Sequence, residues 1–279
     1  MIQTDKAEHF QRLHSRGAPN VLVLPNAWDA ASARIVELAG ARAIATTSSG
    51  VSWSLGRPDG HGVMRGEMID VVRRIVSAVS VPVTADIEGG YGSGSPDDVA
   101  ETVRATIGAG AVGINLEDTD PADATALIEI AAQARRIDAA RTAAAAEGVA
   151  LFINLRTDAY LFHIGEADDR FDETVRRARA YLDAGANGIF IPGVVHAPTI
   201  SRLVNSIDAP INILAGPGAP SIQELGALGV ARVSVGGALA RSAMAQVRRA
   251  ATELFAAGTY DSLSGAIPNS EANELFALS

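Results

Sequence analysis

Eight apolar runs of strand length recur along the chain, each followed by a segment with helical character. They are Val21–Pro25, Arg42–Thr47, Val81–Asp86, Ala111–Leu116, Val149–Leu155, Gly188–Pro192, Pro210–Leu214 and Arg232–Val235. Between the second and third runs, Gly66–Ala78 places Met68, Val71, Val72, Ile75 and Val76 at helical spacing. Strands that stay apolar along their length are buried on both faces, as in a parallel sheet covered by helices. Ala109-Gly110-Ala111 and Ala184-Gly185-Ala186 stand before strands, where helix C-caps turn into the next strand. No linker separates the units, and 279 residues suffice for one barrel. The expectation is an α/β fold, a (β/α)8 TIM-type barrel, as a single domain over residues 1–279 with a C-terminal tail from about Thr259. An open doubly wound sheet would place a Gly-rich fingerprint in the first loop, which here reads Pro25-Asn26-Ala27-Trp28. A lead-in helix over Lys6–Arg16 and a helix-rich segment over Asp123–Glu147 complete the prediction.

In such a barrel the carboxyl ends of the strands form one rim, where the chemistry sits. The third strand ends in Asp86-Ile87-Glu88-Gly89-Gly90-Tyr91-Gly92. Asp86 and Glu88 are two apart and point the same way if the strand continues. Carboxylates with room for water suit a hard cation such as Mg2+, or Mn2+. The other rim residues are Asp29, the Thr47-Ser48-Ser49 run, Glu117 with Asp118, Arg156 with Asp158, and Asn212. A metal on Asp86, Glu88 and Glu117 would leave positions for water and substrate. Arg156 can clamp a carboxylate or phosphonate bidentately. Thr47, Ser48, Ser49 and the backbone N–H groups near Gly50 can take the other end of a small anion.

Each residue alone has a plainer reading. A strand-end arginine pairs with a neighbouring acid, serines terminate strands, and Asp29 and Asp158 cap helices. His61, His163 and His196 read as structural. The conjunction of acids on strands three and four with arginine on strand five is what points to a site.

Composition narrows the chemistry. The net charge is −9 with no basic cluster, which speaks against nucleic acid or an anionic membrane as partner. No run is long and apolar enough to span a bilayer, and a cytoplasmic location is the default expectation. Cysteine is absent, which removes disulfides, thiolate ligands and cysteine acids together. Lys6 is the single lysine and lies in the polar N-terminal segment, so Schiff-base chemistry is nearly excluded.

These residues resemble the phosphoenolpyruvate mutase/isocitrate lyase superfamily. The likeness runs from about Leu24 to Tyr260. It rests on Pro25-Asn26-Ala27-Trp28-Asp29, Thr47-Ser48-Ser49-Gly50, Leu55-Gly56-Arg57-Pro58-Asp59, Ala85-Asp86-Ile87-Glu88-Gly89-Gly90-Tyr91-Gly92, Asn115-Leu116-Glu117-Asp118, Arg156-Thr157-Asp158-Ala159 and Pro210-Ile211-Asn212. The resemblance implies a barrel whose last helix is often swapped between subunits of a homodimer or homotetramer. It implies Mg2+ at Asp86, with Glu88 and Glu117 helping directly or through water, and Asp59 as a further acid near the metal. Arg156 and Asn212 match substrate-holding positions. Members act on small α-oxo or α-hydroxy acids through an enolate, or move a phosphoryl group.

The chain departs from the carbon–carbon lyases of that superfamily. Their Lys-Lys-Cys-Gly-His-type loop is replaced by Asp118-Thr119-Asp120-Pro121-Ala122-Asp123, and the glutamate after the strand-six proline by Gly193. The leading expectation is therefore a Mg2+-dependent mutase or lyase on a phosphonopyruvate- or oxaloacetate-like acid, with Asp59 and Arg156 as catalytic residues. The alternatives are a carboxylate-binding barrel without turnover, and a cysteine-independent lyase or hydrolase.

Overall fold

The computed structural model describes residues 1–14, 21–60, 62–120 and 123–277. The elements run α1 (Gln3–Leu13), β1 (Leu22–Leu24), β2 (Asn26–Ala27), α2 (Ala30–Leu38), β3 (Ile44–Thr46), α3 (Ser48–Ser54), α4 (Arg65–Ala78), β4 (Val83–Asp86), α5 (Pro96–Gly108) and β5 (Gly113–Glu117). There follow β6 (Thr119–Asp120), β7 (Asp123–Leu127), α6 (Ile130–Ala146), β8 (Phe152–Arg156), α7 (Arg170–Asp183), β9 (Gly188–Ile191), α8 (Ala197–Ser206), β10 (Ile211–Leu214), α9 (Ile222–Ala227), β11 (Arg232–Ser234) and α10 (Ala238–Ala256). A short 3-10 turn and α11 (Asn269–Glu274) end the chain.

The main sheet is parallel, in the order β1-β11-β10-β9-β8-β5-β4-β3-β2. β1 and β2 are two halves of one strand, parted by Pro25, which has no N–H to give a ladder. One half pairs with the last strand (Leu22 opposite Arg232) and the other with the second (Asn26 opposite Ala45). The sheet thus returns to its own start, and the nine segments make the eight strands of a TIM-type barrel.

Helix α1 closes the amino end of the barrel. Gln3 Nε2 donates to the carbonyls of Ile107 and Ala111 at 2.8 and 3.0 Å. Phe10 is fully buried beneath β5, where a Cβ on Gly113 would stand 2.7 Å from its ring, so only glycine fits. His14 stacks on Phe152 with centroids 3.9 Å apart, and its Nδ1 lies 2.8 Å from the Phe10 carbonyl, which places the proton on Nδ1. Burial first, and the charge of Arg232 second, push the His14 pKa down to about 3, against the pull of the Phe10 carbonyl.

That depression makes His14 a pH-dependent stabiliser. Below pH 6.5 the unfolded chain takes up a proton that the native chain refuses until about pH 3. Its contribution is complete above pH 6.5 and falls as pH falls toward 3. In urea unfolding at pH 7 and pH 5, the His14-dependent loss should be ~2 kcal/mol, read as the difference between the wild type and His14→Gln, because the raised Glu117 carboxyl acts in the opposite direction in both chains. His14→Gln should lose markedly less. Equal losses in both chains would remove His14 from the account.

Several elements differ from the sequence expectation. The lead-in helix starts at Gln3 and ends at Leu13, and Arg16 lies outside the described residues. The Thr47–Gly50 stretch is not a plain turn but opens helix α3. The segment from Asp123 does not begin as helix: β7 pairs antiparallel with β6, and α6 starts at Ile130. Its alanines favour helix, but tertiary pairing wins. Thr119 is tied to Asp158 at 2.6 Å, and the Ile128 N–H donates to the Asp118 carbonyl at 2.8 Å, so both ends of the hairpin are fixed to the barrel. The tail folds back on its own chain. Glu253 accepts from the Thr259 hydroxyl and the Asp261 and Ser262 N–H groups, and Arg34 Nε donates to the Leu275 carbonyl at 2.8 Å. Helix α10 buries Ala240 and Ala250 and leaves Met244, Val247, Leu254 and Phe255 exposed.

Candidate active site

Asp86, the last residue of β4, is buried at the carboxyl rim. Its N–H donates to Thr46 Oγ1 at 2.8 Å, and its Oδ2 accepts the Ser48 N–H at 3.1 Å from the first turn of α3. The chain then reverses sharply. Glu88 and Tyr91 are non-glycine residues in the left-handed region, with φ of 50° and 59°. Backbone held there is costly and concentrates at functional sites. The turn is pinned to β5 by the Glu117 N–H, which donates to the Glu88 carbonyl at 3.1 Å. Buried Arg136 of α6 braces it from outside by donating to the Gly89 carbonyl. Glu88 is buried, and the Tyr91 hydroxyl donates to its Oε1 at 3.1 Å. Burial, and then the charges of Glu88 and Asp86, hold the Tyr91 hydroxyl well above the ordinary phenol range.

Glu117 closes the acid group from β5. Its Oε2 lies 2.8 Å from Arg156 Nη1, and Arg156 Nε lies 2.6 Å from Asp158 Oδ1. Behind this pair runs a buried chain of bonds. Thr119 Oγ1 donates to Asp158 Oδ2 at 2.6 Å, the Asp158 N–H donates to Asp118 Oδ1 at 3.0 Å, and the Tyr181 hydroxyl donates to Asp118 Oδ2 at 2.7 Å. Asp158 therefore orients Arg156 and does not cap a helix, while Asp29 does cap α2. Asp118 lies behind the rim rather than on it, fully buried against Tyr181 and Arg177.

Burial pushes the Glu117 carboxyl up to about 8; Arg156 opposes the rise, and Asp158, Asp86 and Glu88 add to it. Burial works against the Arg156 charge, but Glu117, Asp158 and Asp86 outweigh it, and its pKa lies above the ordinary value. The rim thus gathers Asp86, Glu88 and Asp158 about Glu117, which pairs with the Arg156 guanidinium.

The structure brings together Asp86, Glu88, Glu117 and Arg156 of the sequence candidates, with the Ser48 N–H joined to Asp86. Thr47 and Ser49 are buried beside them, their hydroxyls 3.0 Å apart. Gly50 is a packing position: a Cβ there would stand 2.8 Å from both Thr47 and Trp28. Asn212 lies below the rim. Its Oδ1 accepts from Asn154 Nδ2 at 3.1 Å and its Nδ2 donates to Ser234 Oγ at 3.1 Å, within a layer of amides inside the barrel. Asp59 stands on the exposed loop after α3, where its Oδ1 accepts the Gly60 N–H at 3.1 Å. His163 and His196 are exposed, and His61 lies outside the described residues.

Among the described residues no three histidine, aspartate or glutamate side chains converge closely enough to hold a metal as they stand. Their chemistry nevertheless fits one. Among the described residues, Arg156 contacts only Glu117 and Asp158 of the four buried or half-buried carboxyl groups, and oxygen-only donors of this kind suit Mg2+ or Mn2+. Asp86 would be the central ligand, with Glu88 and Glu117 contributing across water.

Two residues that sequence reasoning missed, Arg136 and Arg232, and one that it placed on the rim, Asp118, complete the surroundings. Arg136 braces the turn, Asp118 anchors Asp158, and Arg232 lies inside the barrel beneath the rim. The one signal for Arg232 was a cation at the start of an otherwise apolar strand.

The sequence profile of the phosphoenolpyruvate phosphomutase family matches residues 10–255. A solved Burkholderia cenocepacia protein described as a lyase/mutase is 40% identical and superimposes with a TM-score of 0.91 over 99% of this chain and 98% of that one. The oxaloacetate decarboxylase of a Bradyrhizobium species is 31% identical over 75% of this chain and 70% of its own. The 2-methylisocitrate lyase of Escherichia coli is 30% identical over 69% of this chain and 64% of its own.

Proposed function

The chain belongs to the phosphoenolpyruvate phosphomutase family, and within it we propose a Mg2+-dependent mutase or lyase acting on a small α-oxo acid of phosphonopyruvate or oxaloacetate type. The observation that carries this is the rim itself: Asp86, Glu88 and Glu117 gathered beside an arginine whose position is fixed by Asp158. When bound, a divalent cation polarises the α-oxo oxygen and stabilises an enolate. Everything else falls to the protein's own side chains.

Arg156 holds the substrate carboxylate. Glu117 and Asp158 occupy its Nη1 and Nε, which fixes the plane of the guanidinium and directs Nη2 to the substrate. Backbone N–H groups at the start of α3 and the Thr47 and Ser49 hydroxyls bind the far end. Buried Asn115, Asn154 and Asn212 close the floor and keep water from below. No cysteine acid is available anywhere in the chain. The Tyr91 hydroxyl, on Glu88, is the protein O–H placed among the acids, and it is a reluctant donor of its proton. Decarboxylation of a β-keto acid gives CO2 and an enolate that can leave as the enol and take its carbon proton from water, and phosphoryl migration needs charge neutralisation and no carbon acid. Cleavage that must protonate a product carbon needs the missing group.

A substrate panel tests this. Oxaloacetate or phosphonopyruvate should turn over with Mg2+ and stop with a chelator. Cleavage of 2-methylisocitrate should fall below the better of these by ~10²–10⁴-fold, the usual contribution of a general acid. Binding of these acids without turnover of either would leave a carboxylate-binding barrel. Robust 2-methylisocitrate cleavage would show that another residue supplies the proton.

A further inference from the structure

We propose that Arg232 is a positioning residue of this site: its fixed charge, one layer below the rim, draws in an anionic substrate and weakens cation binding until that substrate is present. The second half rests on the reading of Asp86 and its neighbours as a cation site.

The geometry is specific. Arg232 opens β11, and β5 lies four strands away around the barrel in either direction, on the opposite wall. Yet Arg232 Nη2 donates to Asn115 Oδ1 of β5 at 3.3 Å. The side chain therefore crosses the barrel interior and is fully buried there. Asn115 is the register partner of Asp86 and lies two residues before Glu117. The guanidinium is thus held against the side chain directly beside the candidate metal ligand. Asn154 Nδ2 donates to the same Asn115 oxygen at 2.9 Å, which keeps the amide turned to both.

Arg232 has no carboxylate in salt-bridge contact among the described residues, and its Nε and Nη1 meet no protein acceptor. A buried unpaired charge is expensive, and an apolar residue of similar volume would usually stabilise the fold more. The charge that acts on Arg232 at longer range is that of Asp86. Arg156 is already paired with Glu117 and Asp158, whereas among the described residues Asp86 accepts from the N–H groups of Ser48 and Glu88 and forms no ion pair. Asp86 thus lies in the field of both arginines: Arg156 contacts Glu117 and Asp158, and Arg232 acts on Asp86 from beneath without contact.

A charge so placed has opposite effects on the two guests. It repels a divalent cation and attracts a dicarboxylate, and in a poorly screened interior both effects extend over several ångströms. A site built this way favours the cation and the anion together over the cation alone.

The test uses Mn2+ and oxalate as probes, with affinities from calorimetry and folding followed by circular dichroism. Arg232→Met and Arg232→Gln remove the charge, and Arg232→Lys keeps it. The neutral variants should bind Mn2+ about tenfold more tightly and oxalate about tenfold more weakly, while Arg232→Lys stays near the wild type on both. A merely structural role would not move the two affinities in opposite directions. Unchanged affinities in folded neutral variants would overturn the assignment of Arg232 alone. Neutral variants that fail to fold, beside a folded Arg232→Lys, would also overturn it and leave Arg232 a structural cation. Wild-type protein that binds no Mn2+ would remove the cation site itself.

Discussion

Asp86→Ala is expected to abolish the response to Mg2+ and to lower turnover by on the order of 10³-fold. In the wild type, Mg2+ at about a hundred times its dissociation constant should stabilise the native state by ~2.7 kcal/mol through mass action. In a chain of this size that raises the melting temperature by roughly 5–10 °C. Asp86 is joined to α3 by the Ser48 N–H and to the following turn by the Glu88 N–H. Losing it removes one ligand and loosens two segments at once. Asp86→Asn separates these effects, because its amide oxygen still accepts from Ser48 while the charge is gone. Both variants should melt at the same temperature with and without Mg2+. A full shift in Asp86→Ala would place the cation elsewhere.

Arg156→Lys should weaken oxalate binding by about tenfold or more, because an ammonium cannot hold Glu117 and Asp158 in one plane and still direct a further N–H at the substrate as the guanidinium does. Lysine is the informative substitution. Alanine would leave Glu117 and Asp158 without their cation in a buried setting, a loss of ~3–5 kcal/mol that would confuse binding with stability. Lysine keeps the charge and removes the shape. Asp158 fixes the arginine through Nε, a contact that an ammonium cannot reproduce in the same plane. Calorimetry giving equal oxalate affinity in both chains would exclude Arg156 as the substrate clamp.

The barrel was legible because its signals are local and periodic: apolar strands, amphipathic helices and capped turns repeat along the chain. The acids of the site were legible for a related reason. Residues at the carboxyl ends of successive parallel strands must share a rim, so Asp86, Glu117 and Arg156 could be brought together without coordinates. What escaped depends on contacts between distant segments. Asp118 reads like Glu117 beside it, and only the packing of Tyr181 and Arg177 turns it inward. Nothing local marks the reach of Arg136 within its helical segment or of Arg232 at the start of its strand, yet one crosses to Gly89 and the other spans the barrel. The Asp123 segment read as helix because propensity is local, whereas its pairing with β6 and the Thr119–Asp158 bond are not. Asp59 was placed near the metal by resemblance, and in the structure it stands on an exposed loop.

The split first strand has a consequence for how the molecule is made. Leu22 finds its partner only when Arg232 has been synthesised, so the seam cannot close until the chain through Arg232 has left the ribosome. Until then the β1 half presents an unpaired edge, as does the latest strand of the growing sheet, and such edges invite pairing with other chains. Contacts this far apart in sequence also slow the search for the native state. Yield in a cell is therefore governed by how long the open sheet survives unjoined, a property of the nascent chain rather than of the finished barrel.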